Sequence, residues 1–339
     1  MAGLFQTLKG AARGLHVDAL LDNMLKSRGI PRDMVFAKAF QGVPVSKMTD
    51  LIGQTSVDSD LRIYDATAGA EGKIQRVGFN VGAPLSYELQ VLALEALIPN
   101  VYNGATDAIF DYAQRQSQYP TDRLKFRLEY GAIVQTLRNA SVMTQNITLP
   151  AAQKWSNKGS PDSSPLDDLL TWVRWVREKA ARPIGMIYMT APVWNEIAQH
   201  PSVLGRRDVT TWGVFTKEVL EKILGVEPGT VYVDEFGIYN APGLTGTTAQ
   251  RYFGGPDLAI LVTGGASRQN FDFGHMYFMG GSGDDPIVTL RYPTYDVARF
   301  GEVVQCSAFV HFLVEKPEAA LVAFGVVDPT LARFNGMLS

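Results

Sequence analysis

The sequence predicts an α+β fold. Three observations carry that expectation. A long stretch of helical apolar spacing runs between about residues 105 and 139, and short apolar, strand-like runs recur after residue 184. The two kinds of element also alternate without the βαβ rhythm that a doubly wound sheet requires. Across 339 residues, 46% are hydrophobic and 19% charged, which provides a sizeable core and excludes global disorder. The length suits two domains or one elaborated domain.

In chain order, residues 4–25 place Phe5, Leu8, Leu15, Leu20, Leu21, Met24 and Leu25 among polar residues, interrupted by Gly10 and Gly14, a broken amphipathic pattern. Residues 1–48 hold seven Lys or Arg against three Asp. This leaves −7 on the rest of a chain whose formal charge is −3. The asymmetry predicts a basic N-terminal arm facing a polyanion or a neighbouring subunit, on a body too acidic for extensive nucleic-acid binding. Between Asp50 and Pro84, the alternating runs Leu61–Tyr64 and Lys73–Phe79 flank the small-residue segment 66–72, a long hairpin. Its apolar content is thin for an independent unit, since an isolated two-stranded ribbon is marginal in water.

After Tyr87 the pattern turns helical. The longest helix is expected at about 105–139 with a kink at Pro120, and Phe126, Tyr130, Ile133 and Leu137 form a stripe at i, i+4, i+7 and i+11. A strand-like run at 141–149 and a polar linker at 156–164 follow. Ser164 is read as an N-cap, Pro165 as the first helical residue and Asp167 as a capping partner. Further on, Ile184–Met189 reads as a buried strand, Pro192–His200 as a short helix, and Lys217–Leu224 as a helix stopped by Gly225. Strand-like runs are expected at 230–234, 258–262, 287–292, 303–314 and 320–327. There is no internal repeat.

Motifs that could carry chemistry do not complete themselves. Ile260–Ser267, with Thr263-Gly264-Gly265, resembles a nucleotide loop, but Arg268 and Asn270 stand where further glycines are needed. Gly283-Asp284-Asp285 is an adjacent acid pair in a glycine-rich turn, without the further oxygen ligands a divalent ion requires. Ser282 lacks the second glycine of a nucleophile elbow, since Asp284 takes its place. His16, His200, His275 and His311 show no metal spacing, and Cys306, the only cysteine, excludes an intrachain disulfide and reads as a small buried hydrophobe. No run approaches the length of a membrane span, and no secretory signal is read, so a cytoplasmic site of synthesis is expected. No catalytic, cofactor-binding or metal-binding residue is assigned.

The order of elements, together with Lys154-Trp155-Ser156, Ser164-Pro165-Leu166-Asp167-Asp168-Leu169, Ala191–Glu196, His200-Pro201-Ser202-Val203 and Glu315–Ala319, resembles the major capsid proteins of tailed double-stranded-DNA bacteriophages, in their lambda-like branch. The resemblance spans about residues 30–328. It implies a tailed-phage major capsid fold with an N-terminal arm (1–49) and an extended loop (50–86). A peripheral domain (87–184 and 301–339, spine helix about 105–139) and an axial domain (185–300) complete it, Glu315–Ala319 forming the strand that returns the chain to the peripheral domain.

It further implies a non-enzymatic shell subunit of the virion, assembled in the host cytoplasm as hexamers and pentamers. Portal, scaffolding and decoration proteins are expected as partners, with packaged DNA contacted weakly, no cofactor and no membrane. Arg28, Arg32, Lys38, Arg62, Lys73 and Arg76 are the candidate inter-subunit or lumen-facing residues. Lys73 lies in the loop that some relatives crosslink, without an accompanying acid and asparagine. The alternatives are an encapsulin-like compartment of the same fold, or a cytoplasmic α/β oxidoreductase using the Thr263–Ser267 loop.

Overall fold

The computed structural model describes residues 34–53, 84–99, 107–205, 215–234, 238–240, 250–252, 254–263, 272–280, 285–294 and 301–328. The expected arm before residue 34 and the hairpin segment 54–83 lie outside the described residues. The first elements are α1 (Val35–Ala39) and β1 (Gln41–Pro44). β2 (Thr49–Ile52) and β3 (Leu85–Glu88) pair antiparallel, Thr49 opposite Glu88 and Ile52 opposite Leu85, and so form the stem of the expected extended loop.

β4 (Gln90–Pro99) follows, where a turn to helix was expected after Tyr87. Leu, Ala and Glu favour helices, but this stretch pairs along its whole length with residues 301–310, and a partner strand overrides local propensity. α2 (Asp107–Tyr130) is the expected long helix and passes through Pro120 as one element. The departure from α geometry comes later, in a π-helical turn at Gly131–Leu137. There Arg138 N donates to Ile133 O at 2.8 Å, and the Thr136 hydroxyl donates to Gly131 O at 3.0 Å. The wider turn rotates all later side chains relative to the earlier ones. The expected stripe therefore splits. Ile133 and Leu137 are buried, whereas Phe126 faces solvent, and Leu124, Leu128 and Ala132 supply the buried face before the turn.

β5 (Asn146–Thr148) leads to α3 (Pro165–Ala180). Ser164 sits at the N-cap, but its hydroxyl donates to Asp167 Oδ2 at 2.6 Å and accepts no backbone N–H from the helix. Next come β6 (Met186–Thr190), α4 (Ala191–Ala198), α5 (Pro201–Leu204) and α6 (Lys217–Leu224), the last ended by Gly225 at φ 62°. β7 (Val231–Asp234) precedes a small ladder of β8 (Ile238–Asn240) with β9 (Gln250–Tyr252). The remaining strands are β10 (Leu258–Leu261), β11 (Gly274–Met279), β12 (Ile287–Thr294), β13 (Gly301–Val314) and, after a 3-10 turn at Pro317–Ala319, β14 (Ala320–Phe324).

Two five-stranded sheets result. In the first, β13 is the axis: β4 pairs along one edge, β12 and then β11 along the other, and β1 runs parallel to β11. Even-numbered residues of β13 (Val304, Cys306, Ala308, Val310) are buried beneath α2, where the Thr121 hydroxyl meets Cys306 Sγ at 3.0 Å. Odd-numbered residues face the other way, because side chains alternate along a strand. The second sheet has the order β5-β14-β10-β6-β7, with α3 against β10 and β14 and α4 against β6 and β7. Each sheet draws strands from residues 87–184, 185–300 and 301–339. Glu315–Ala319, expected as a terminal strand, is the bend and 3-10 turn that carries the chain from β13 into the middle of the second sheet. A β10 antiparallel to both neighbours also lacks the parallel strand that a dinucleotide loop needs at its carboxyl end.

The core joining the helices to the second sheet centres on Trp155. Its ring is fully buried and stacks on Trp172 at 5.8 Å, and its indole N–H donates to Asp168 Oδ2 at 2.9 Å. Trp155→Ala is expected to destabilise the subunit by about 3–5 kcal/mol and Trp155→Phe by about 1–2 kcal/mol. Urea unfolding of the two variants at neutral pH measures both.

Candidate functional site

Of the six candidate assembly residues, Lys38 alone falls among the described ones; Arg28, Arg32, Arg62, Lys73 and Arg76 lie outside them. Lys38 is exposed on α1, with Nζ 4.3 Å from the centre of the Tyr232 ring. α1 itself is the root of the expected arm, and it is fastened firmly. Val35 N and Phe36 N donate to the two carboxylate oxygens of Glu129 on α2, at 2.8 and 2.9 Å. Burial lifts the Glu129 carboxyl to about 7 against the lowering effect of those two hydrogen bonds, and nearby Asp234 adds to the rise. The Tyr188 hydroxyl donates to Asp234 at 3.0 Å, and burial next to these acids holds its pKa well above the ordinary value. Phe40 packs against Phe273 and Phe312 with ring centres 4.9 and 5.2 Å apart.

The odd-numbered face of β13 carries the second feature. His311 Nδ1 donates to Glu88 O at 2.9 Å, and Tyr87 stacks flat on Tyr277 at 5.0 Å. The stem of the extended loop therefore crosses this face, opposite α2. Val43, Leu89, Phe309 and Leu313 complete the small apolar cluster beneath it. Farther along the same face, apolar side chains stay partly open, with Val91 on β4 at 56% exposure and Leu97, Leu290, Tyr292 and Val303 half-buried. Leu51 on the stem is 65% exposed.

A buried polar row links the stem to the crossing between the sheets. His275 is fully buried, with Nδ1 at 2.8 Å from Glu315 Oε1 and Nε2 in ionic contact with Asp272 Oδ2 at 3.6 Å. The Tyr277 hydroxyl donates to the same Glu315 oxygen. Phe273 O accepts from Glu315 N and Lys316 N, where β13 ends and the path to β14 begins. Burial alone would lower the His275 pKa, but Asp272 and Glu315 outweigh it and raise it to about 9. Glu315 is pulled below the usual carboxylate range despite its burial, through hydrogen bonds from His275 and Tyr277. Sequence reading saw His275 only as an isolated histidine. Its partner Glu315 is 40 residues away, and that separation leaves no local signal.

The other candidates are structural where they are described. The His200 ring accepts from Ser202 N at 3.2 Å and meets Ser163 Oγ at 3.2 Å, capping a short helix, and burial lowers its pKa. Asp285 Oδ1 accepts from Ile287 N in a turn; Ser282, Gly283 and Asp284 lie outside the described residues, as does Gly264–Ser267. Cys306 is a buried thiol beside the hydroxyls of Thr121 and Thr289. Among the described residues no group of three or more His, Cys, Asp or Glu could hold a metal ion, and no helix is long and apolar enough to cross a membrane.

The signs of the shifts in the polar row define a pH window. A raised histidine contributes stability in full below about 6.5, and loses it as pH climbs through about 9; a depressed Glu315 contributes above about 4.5 and loses it on acidification. Wild-type protein is expected to lose about 3 kcal/mol from His275 between pH 6.5 and 9.5. His275→Gln removes that part of the decline, while Glu129 titrates alike in both proteins. Denaturant midpoints across this range separate the two.

No family model matches the chain, and no curated protein matches it. Solved structures do. A phage-related protein from Bordetella bronchiseptica aligns with a TM-score of 0.70 at 18% identity, over 93% of this chain and 99% of that one. An encapsulin complex from Synechococcus elongatus aligns at 0.54 and 12% identity, over 89% and 90% of the two chains. The capsid of cyanophage P-SCSP1u aligns at 0.52 and 10% identity, over 86% and 87%. At such identities the likeness is one of fold, and nearly whole chains are superposed on both sides. The mixed helix-and-sheet fold is therefore that of tailed-phage capsid proteins, and the encapsulin matches it as well.

Proposed function

We propose that this chain is the major capsid protein of a tailed double-stranded-DNA phage, a non-catalytic subunit that closes into hexamers and pentamers and builds an icosahedral shell around DNA. The observation that carries this reading is the fold match to the phage-related protein at a TM-score of 0.70 along nearly the full length of both chains. The surface supports it. The odd face of the first sheet leaves Val91, Leu97, Leu290 and Val303 incompletely covered, beside the stem of a loop whose sequence holds too little apolar surface to stand alone. A second copy supplies both needs at once, and repetition of such a heterologous contact closes a ring.

The basic arm, rooted by Glu129, and the loop residues Arg62, Lys73 and Arg76 are assigned to contacts between copies or with the lumen. Portal, scaffolding and decoration proteins are the further partners of this reading, the virion is its location and the host cytoplasm its place of assembly. An encapsulin-like compartment is the second reading, supported by the weaker likeness at 0.54. The contents of purified particles, DNA or protein cargo, distinguish the two.

Negative-stain microscopy of the full-length protein is expected to show closed, uniform shells; a monodisperse single subunit at high concentration, with its helper proteins present, overturns the proposal. Deleting residues 58–76 is expected to leave a folded body that forms no normal shell. Val91→Glu is expected to change subunit stability by less than about 0.5 kcal/mol while blocking assembly, as read by thermal unfolding alongside sedimentation.

A further inference from the structure

The carboxylate that fastens α1 has no cation to balance it. Glu129 is 4% exposed, and its two oxygens are taken by Val35 N and Phe36 N. No ion pair reaches it among the described residues. The elements around it explain why. Lys38 on α1 holds its Nζ over the Tyr232 ring, and Lys125, one turn earlier on α2, forms no ion pair with it. β6 and β7 contribute Tyr188, Tyr232 and Asp234, and the π turn Gly131–Leu137 has no ionisable side chain. Asp234 is a second negative charge, held by the Tyr188 hydroxyl.

A carboxylate removed from water is costly unless a cation or enough hydrogen bonds replace its hydration. Two backbone N–H donors recover part of that cost, and Asp234 adds to it. Burial is the largest contribution and carries the Glu129 carboxyl to about 7. Lifting α1 would take away both donors, but it would also admit water and so remove the larger effect. The carboxyl then returns towards its ordinary 4.5. The docked arrangement therefore binds a proton more tightly than the undocked one. Its contribution to docking is complete below about 4.5 and is lost as pH climbs through about 7. Phe40, packed on Phe273 and Phe312, holds the far end of α1, so the loosening is local.

We propose that Glu129 is a proton-operated latch on the root of the N-terminal segment: a protonated carboxyl keeps α1 docked on α2, and an ionised one loosens it. Because α1 is where that segment joins the body, the latch couples its attachment to pH in the neutral range. It lies within one subunit and does not require the shell reading, which its failure leaves untouched.

The test is hydrogen exchange at the Val35–Ala39 amides of the full-length protein, corrected for the intrinsic pH dependence of exchange. β1, paired with β11, is the internal reference. Between pH 5.5 and 8 the opening of α1 is expected to increase about 25-fold in the wild type, while β1 stays protected. Glu129→Gln keeps the size and one acceptor but cannot ionise, and its opening is expected to change less than about threefold. Asp234→Asn keeps the latch and removes the neighbouring charge, so its opening is expected to increase less and to level off at lower pH. Protection of α1 that rises with pH overturns the inference, as does a glutamine variant that loosens as steeply as the wild type. A larger increase in Asp234→Asn also overturns it. Equal loss of protection in α1 and β1 marks global opening and defeats the local latch.

Discussion

The structure depends on one strand being bound on all four sides. β13 is hydrogen-bonded along both edges, with β4 on one and β12 then β11 on the other. Its even residues are sealed by α2, and its odd residues carry the loop stem. Because side chains alternate, a slip of one residue would put Val304, Cys306 and Ala308 into solvent and the odd set under the helix. The register of this strand therefore sets where α2 lies, where the stem of β2 and β3 leaves the sheet, and which apolar side chains stay open.

Charge is placed inside the molecule at points where chain segments distant in sequence must be tied together. Glu129 caps α1 from 93 and 94 residues away. Arg138 pairs with Asp257 at 2.6 Å, and Asp257 also accepts from Gly325 N, which ties the end of the π-helical turn after α2 to the far end of β14. His275 with Asp272 and Glu315 sits where the first sheet hands the chain to the second. Buried ions are expensive unless paired and hydrogen-bonded, so each of these groups specifies one arrangement of segments more than it adds net stability.

The shell reading and the polar groups meet at the loop stem. Tyr87 rests on Tyr277, Tyr277 on Glu315, and Glu315 on His275, so the paired strands β2 and β3 are fastened to the body by the same groups that sit where the chain passes between the two sheets.

Local features were legible in the amino-acid sequence wherever the decisive interaction is local. Lys217–Leu224 ends at Gly225 because a left-handed backbone there favours glycine, and Pro165 opens α3 because its missing N–H costs nothing at a helix start. The buried runs at β6, β7, β10 and β14 and the α+β class came from composition and spacing alone. The order of elements pointed to the capsid fold. Tertiary contact decided the rest. β4 is a strand because β13 lies beside it, and the buried stripe along the helix changes at a π turn whose Gly131 lies against Phe312 of β13. The pairing of His275 with Glu315 and the choice of which face of β13 meets the helix depend on residues tens to hundreds of positions apart, and no periodicity within a window of sequence encodes a contact across that separation.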